Sequence, residues 1–160
     1  MEFQWAEVER ITGVKRIRLH QWIEAGFITP SLQVAKGSGS RHIWSKTDLY
    51  NIILFKRLVE SGIHRNTAAK LIPNVGFDDI NKIYRPEKER GGPGEVWLVI
   101  ARRWGNGQDE GVESFAYPWI HGELKNNLAD VLGEINEDRG WNDAIIINVT
   151  KLAEYVDSCI

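Results

Sequence analysis

A glycine- and serine-rich stretch between two basic residues is the first feature of the sequence that could do chemistry. Residues 35–44 read AKGSGSRHIW, with Lys36 and Arg41 on either side of the Gly-Ser run. Glycine-rich loops hold nucleotide phosphates when they open directly onto a helix, because the first N–H groups of that helix bind the phosphates. Here the loop runs into residues 41–44, which are β-prone. The stretch therefore predicts the tip of a basic β-hairpin, with a plain flexible turn as the alternative.

Groups that could support catalysis are sparse. His121 and Glu123 lie close together, but a lone histidine near a helix start is more often a cap or a surface group. The sequence shows no nucleophile–base pair and no His/Cys/carboxylate cluster with metal-ligand spacing. The one cysteine, Cys159, cannot form an internal disulfide. We predict a protein that is not an enzyme and that holds no metal or cofactor.

Composition and charge predict two modules. The chain has 160 residues, 42% hydrophobic and 26% charged, which is enough to build a core. Residues 1–90 hold 15 basic and 10 acidic side chains, a net charge of +5, whereas residues 91–160 hold 5 and 12, a net charge of −7. The break coincides with a charged and then Pro/Gly-rich stretch at 85–94. We predict domains at 1–84 and 95–160, joined by a linker at 85–94.

The targeting signals expected of an exported or membrane protein are missing from the sequence. Its first ten residues, MEFQWAEVER, contain no apolar run typical of a secretory signal. No segment approaches the length of a membrane span. The sequence therefore predicts a cytoplasmic protein with no membrane partner.

The elements that position the basic loop begin with two short helices. Trp5, Val8 and Ile11 share one helical face. A second helix is predicted from about residue 15 to 25, with Leu19, Trp22 and Ile23 in its core stripe. Two short helices joined by a glycine-containing turn are typical of a helix-turn-helix, which presents its second helix to DNA.

A hairpin and further helices follow. Residues 32–34 and 41–44 can pair around the Gly-Ser loop. Residues 45–48 read SKTD, which predicts a capping box because a hydroxyl at the N-cap is followed three residues later by an acid. The helix that it opens is apolar on more than one side and ends near Gly62, and a short helix at 67–72 follows.

In this order the elements resemble the winged helix-turn-helix of the MerR family of transcription regulators, over residues 3 to about 72. The resemblance is carried by Thr12, Gly13, Val14, Leu19, Trp22, Gly26, Phe27, Ile28, Thr29, Pro30, Arg41, Trp44, Asp48, Leu49, Leu58 and Gly62. It implies that the hairpin is a wing against the DNA backbone, that the partner is double-stranded DNA, and that the protein regulates transcription.

Several positions depart from the family's usual sequence. Where its second helix commonly reads Thr-Leu-Arg-Tyr-Tyr, residues 18–22 read RLHQW, and His42 stands where the wing usually has arginine. The long coiled-coil helix is also replaced by one predicted short helix at 78–84, before Pro86. The alternative is therefore an excisionase-like architectural DNA-binding or protein-interaction module that has no effector.

The candidate DNA-binding residues lie on the second helix and in the hairpin. Arg18 and Gln21 can read base edges, and Ile17 can meet a thymine methyl. The basic side chains around them are expected to contact phosphate; they are Lys15, Arg16, Lys36 and Arg41. His20 and His42 are expected to bind DNA more tightly as they become protonated at lower pH.

The acidic half predicts an order of ββαβα, so that the whole chain is α+β. The predicted elements are strands at 95–104, 113–119 and 144–149, the last of them buried, and helices at 124–135 and 152–159. The last helix has an apolar stripe, formed by Leu152, Tyr155, Val156 and Cys159. Pro118 favours an edge position for the second strand. Its aromatic residues are predicted to form core or, alternatively, a ligand pocket or interface: Trp97, Trp104, Tyr117, Trp119 and Trp141. We expect this domain to form a homodimer or to sense a small-molecule effector.

Overall fold

A computed structural model of the protein describes residues 1–37, 39–74, 95–102, 113–119 and 143–160. Within these residues the fold is α+β, as predicted, with helices in the N-terminal part. The elements are α1 (Trp5–Thr12), α2 (Arg16–Glu24), α3 (Lys46–Glu60), α4 (Arg65–Leu71), a 3-10 turn (Ile72–Asn74), β1 (Glu95–Arg102), β2 (Glu113–Trp119), β3 (Asp143–Asn148) and α5 (Val149–Cys159). The predicted helices at 78–84 and 124–135, the linker, His121, Glu123, Trp104 and Trp141 lie outside the described residues.

A tight turn joins α1 to α2. Helix α1 ends at Gly13, whose φ of 64° is left-handed and whose N–H donates to the Glu9 carbonyl at 2.9 Å. A side chain at this position would be strained, because L-residues with a Cβ rarely adopt that conformation. The Thr12 hydroxyl donates to the Val8 carbonyl at 2.7 Å and accepts from the Val14 N–H at 3.2 Å. The turn thus places α2 directly against α1.

Helix α3 begins at the predicted capping box. The Ser45 hydroxyl accepts from the Asp48 N–H at 3.2 Å, and the Asp48 carboxylate accepts from the Ser45 N–H at 2.7 Å. Asp48 also accepts from the N–H and hydroxyl of Ser31, at 3.0 and 2.9 Å. The same buried carboxylate therefore fixes the start of α3 and the segment that enters the hairpin.

The hydrophobic core of the N-terminal part surrounds α3. As its apolar sequence predicted, this helix is buried on several sides; its buried apolar residues are Leu49, Tyr50, Ile52, Ile53, Leu54, Phe55 and Leu58. The Trp22 ring of α2 meets the Phe55 ring edge-on, with centroids 4.7 Å apart. This contact packs the inner face of α2 onto α3.

The segments flanking the Gly-Ser loop pair through one bridge. Gln33 and Ile43 exchange two backbone hydrogen bonds, of 3.1 and 2.9 Å, and Phe3 pairs in the same way with Trp44. The predicted pairing of the two segments is present, and the chain before α1 adds a third extended segment. The hairpin is thereby joined to the start of α1.

The described strands of the acidic half form an antiparallel sheet with the order β2-β1-β3. Strand β2 lies at one edge, as Pro118 predicted. Strand β3, which we predicted to be buried, instead lies at the other edge of these three strands, with Ile147 buried and Ile146 39% exposed. Its apolar run hides this alternation, because three successive isoleucines give no period-two pattern.

Helix α5 belongs in part with the N-terminal residues. The chain divides into two compact units, Met1–Pro73 with Lys151–Ile160, and Asn74–Thr150. The Asp157 carboxylate accepts from the Tyr50 hydroxyl at 2.6 Å and pairs with the Lys46 ammonium at 2.7 Å. The Arg10 guanidinium donates to the Cys159 carbonyl at 2.9 Å.

This grouping differs from the sequence-based division, which placed all of residues 95–160 in one domain. Along the apolar stripe of α5, Val156 is fully buried, whereas Tyr155 is 51% exposed. A stripe of this kind does not identify the element that it packs against. We call residues 1–73 and 151–160 the N-terminal unit.

Candidate nucleic-acid interface

Helix α2 has one buried face and one open face. Leu19 and Trp22 are buried, at 0% and 3% exposure, as the predicted core stripe requires. All six residues of α2 and its N-cap that the sequence assigned to DNA are exposed: Lys15, Arg16, Ile17, Arg18, His20 and Gln21. Ile17, which is 73% exposed, lies at the centre of this face. Basic and apolar groups are thus available together on one side of the helix.

Trp5 contacts two side chains at one edge of the open face. The Arg16 guanidinium lies over the Trp5 ring, 5.4 Å from its centroid. The His20 imidazole is nearly parallel to the same indole, with centroids 6.3 Å apart and an interplanar angle of 12°. His20 Nδ1 also lies 3.3 Å from a carboxylate oxygen of Glu24. Arg16 and His20 are four residues apart, so they share one side of α2.

The hairpin contributes two exposed basic side chains. Lys36 and Arg41 are both exposed, and the Arg41 guanidinium donates to the Gln4 side-chain carbonyl at 3.3 Å. Between them, Gly37 and Gly39 take φ angles of 79° and 89°, with no atom within 4 Å of where a Cβ would lie. The loop backbone is therefore open on this side, and both cations reach solvent.

His42 does not lie where the sequence placed it. It is 9% exposed, and its Nδ1 accepts from the Ala35 N–H at 3.2 Å, so that nitrogen carries no proton. Burial, and then the charge of His20, lower the pKa of His42. The cause is the alternation of an extended segment, which turns Arg41 outward and both His42 and Trp44 inward. His42 is a buried neutral side chain and not an exposed cation.

Trp5 connects the hairpin to α2. Its ring meets that of His42 edge-on at 5.2 Å and that of Trp44 at 5.7 Å, on the hairpin side. With Arg16 and His20 on the α2 side, this indole touches both candidate DNA-binding elements. Sequence reasoning assigned Trp5 to the core stripe of α1 and missed this position. The available signal was the four-residue spacing of Arg16 and His20, two side chains whose flat groups can stack on an aromatic ring.

The aromatic group of the acidic half is only partly described. Trp97 lies half-buried on β1, and Tyr117 is its register partner on β2. Trp119 pairs in register with Glu95 at the end of the same hairpin. A role for these residues in binding a ligand or a second chain stays a prediction. Within the described part of the chain, no three His, Cys, Asp or Glu side chains converge as metal ligands would.

The chain is similar to uncharacterized HTH-type transcriptional regulators of mycobacteria. One comes from Mycobacterium bovis and two from Mycobacterium tuberculosis strains, CDC 1551 and H37Rv, each 33% identical over 54 residues. The match covers 34% of this chain and 24% of each relative. No protein-family model matches the chain. In the described residues, no helix has the length and apolar character needed to cross a membrane.

Proposed function

We propose that this protein is a sequence-specific transcription regulator that binds double-stranded DNA in the cytoplasm through α2 and the hairpin. The observation that carries the proposal is the exposure of basic side chains on two neighbouring elements. Arg16 and Arg18 on α2 and Lys36 and Arg41 in the hairpin are all exposed, and Trp5 makes the two elements neighbours. The similarity to HTH-type regulators supports the same class of function.

The side chains divide into two roles. Arg18 and Gln21 suit the major groove, because Arg can bridge guanine O6 and N7 and Gln can pair with adenine N6 and N7. Ile17, at the centre of the open face, suits a thymine methyl group. The remaining exposed cations fix the position of the protein on the phosphate backbone: Lys15, Arg16, Lys36 and Arg41.

The MerR resemblance supports a winged arrangement in which the hairpin lies along the backbone of the DNA. The glycines at 37 and 39 support this use, since among the described residues no atom beyond their chain neighbours lies within 4 Å of where a Cβ would stand. In this proposal the acidic half forms the homodimer or binds a small-molecule effector. The dimer would present two α2 helices to neighbouring half-sites one helical turn apart.

Selection of bound sequences from a random pool of duplex DNA tests the function directly. The full chain should enrich a defined motif, and a palindromic motif would show two-fold binding. The Arg18→Gln variant should lose discrimination at one base pair, by about 1–3 kcal/mol. The matched control is Lys70→Gln, which removes the same charge from an exposed position of α4. If no sequence is enriched over the pool, sequence-specific regulation is refuted, and strong bending of any DNA that is bound would favour the architectural alternative.

A further inference from the structure

Trp5 makes contacts that a residue needed only for packing would not make. The side chain is half-buried, and its outer ring face carries the Arg16 guanidinium and the His20 imidazole. Its other contacts are with His42 and Trp44, both buried. The indole therefore packs against two buried rings and contacts two exposed side chains of α2.

Holding Arg16 in this way matters for any ligand that it binds. An exposed arginine samples many rotamers, and most of that freedom is lost when its guanidinium meets a phosphate. An aromatic face beneath the guanidinium restricts those rotamers before the ligand arrives, and the cation–π attraction keeps the charge at the surface. Preorganisation of this kind raises affinity without adding a contact to the ligand.

The same ring contacts both candidate DNA-binding elements. His20 lies on α2 and His42 in the hairpin, and both contact the Trp5 ring, at 6.3 and 5.2 Å between centroids. Backbone pairing of Phe3 with Trp44 places this indole beside the hairpin.

We propose that Trp5 is a positioning residue for DNA recognition: it orients Arg16 toward a backbone phosphate. This inference rests on the proposed DNA-binding function. Trp5 acts through Arg16, so its effect on affinity depends on Arg16 being present. A residue needed only for stability would affect DNA affinity equally whether or not Arg16 is present.

A double-mutant cycle on DNA affinity measures that dependence in the full chain. The variants are Trp5→Leu, Arg16→Gln and the two combined, each assayed on the selected duplex at fixed salt. Trp5→Leu should weaken binding about three- to tenfold, in line with a cation–π contact of moderate exposure. In the Arg16→Gln background the same change should weaken binding less than twofold. Trp5→Phe, which keeps a ring face, should restore most of the wild-type affinity.

A second aromatic residue of the same unit provides the control. Phe27 stacks on Phe55 with centroids 5.7 Å apart and contacts none of the candidate DNA-binding side chains through its ring. Phe27→Leu should lower the melting temperature, and any change in affinity that it causes should be the same with Arg16 or with Gln at position 16. Melting temperatures of all variants separate loss of fold from loss of positioning.

The outcomes distinguish this inference from the function on which it rests. If the wild-type chain binds no duplex, the proposed function and the role of Trp5 fall together. If the wild type binds and Arg16→Gln weakens binding, but the Trp5 and Arg16 effects multiply, the DNA-binding function stands and the positioning role is overturned. Multiplication of the two effects means that Trp5 does not act through Arg16. An Arg16→Gln variant that binds like wild type overturns the positioning role in the same way.

Discussion

Replacing Asp157 with alanine removes one of the acceptors that hold α5 to residues 1–73. Two contacts end at this carboxylate, the Tyr50 hydroxyl at 2.6 Å and the Lys46 ammonium at 2.7 Å. A hydrogen bond to a charged acceptor contributes about 1.5–3 kcal/mol. The Lys46 pair contributes less, about 0.2–1 kcal/mol, because its side chains are 32% and 43% exposed. After allowance for regained side-chain freedom, we expect Asp157→Ala to lower the free energy of unfolding by about 2 kcal/mol.

Urea unfolding followed by circular dichroism measures this loss, and the melting temperature should fall by about 4–8 °C. The matched control is Glu154→Ala on the same helix. Glu154 pairs with Lys151 of α5 itself, at 2.8 Å, so the change should be within about 0.5 kcal/mol. If the two variants lose equal free energy of unfolding, Asp157 does not hold α5 to residues 1–73.

The same cluster predicts an alkaline response. Burial, and then the hydrogen bond to Asp157, raise the pKa of Tyr50. The unfolded chain therefore releases this proton at lower pH than the folded chain does, and stability should fall as the pH rises above about 10. Although burial lowers it, the hydrogen bonds of Lys46 to Asp157 and Tyr50 raise the pKa of Lys46 on balance. The stabilising charge of Lys46 should likewise be lost only above the ordinary pKa of lysine. If the fall in stability at alkaline pH is the same in Tyr50→Phe as in the wild type, this account is wrong.

Three further predictions concern the turn and the hairpin. Arg41→Ala should weaken binding to all duplexes alike and reduce the slope of log affinity against log salt by about one, measured by titration at several salt concentrations; unchanged affinity would exclude a phosphate contact. The lowered pKa of His42 means that the unfolded chain binds this proton more tightly, so stability should fall as the pH drops below about 6.5. Urea midpoints from pH 8 to pH 5 should show this decline in the wild type and not in His42→Gln, and parallel profiles would count against it. Gly13→Ala should lower the free energy of unfolding by about 1–2 kcal/mol because of its φ of 64°, and Gly13→Asn by less; equal losses would argue against backbone strain.

Local sequence signals predicted much of the N-terminal unit. The capping box at Ser45 and Asp48, the core stripe of α2 and the glycine end of α1 each depend on neighbours within four residues, so spacing alone identifies them. The hairpin pairing was also accessible, because turn residues separate two β-prone segments. The exposure of Arg16, Ile17 and Gln21 followed from the helical period once the buried stripe was assigned.

Tertiary context decided what the sequence could not predict. His42 was interpreted by analogy with an exposed arginine, whereas its strand position turns it inward against Ala35. Trp5 fits an apolar stripe, and only the approach of α2 shows that its outer face carries Arg16. The partner of α5 was inaccessible for a similar reason, because Tyr50 and Asp157 are 107 residues apart and neither belongs to a recognisable pattern.

The discontinuity of the N-terminal unit has a consequence for how the chain folds as it is synthesised. The Arg10 contact with the Cys159 carbonyl spans 149 residues, and the Tyr50 contact spans 107. Domains generally fold as their sequences emerge from the ribosome, but this unit cannot finish until residues 151–159 have left the exit tunnel. Until then, the surfaces of α1 and α3 that receive α5 stay available to chaperones and to other nascent chains. Ribosomes that stall between residues 74 and 150 would therefore release products whose first helices are formed and whose last packing contact is missing.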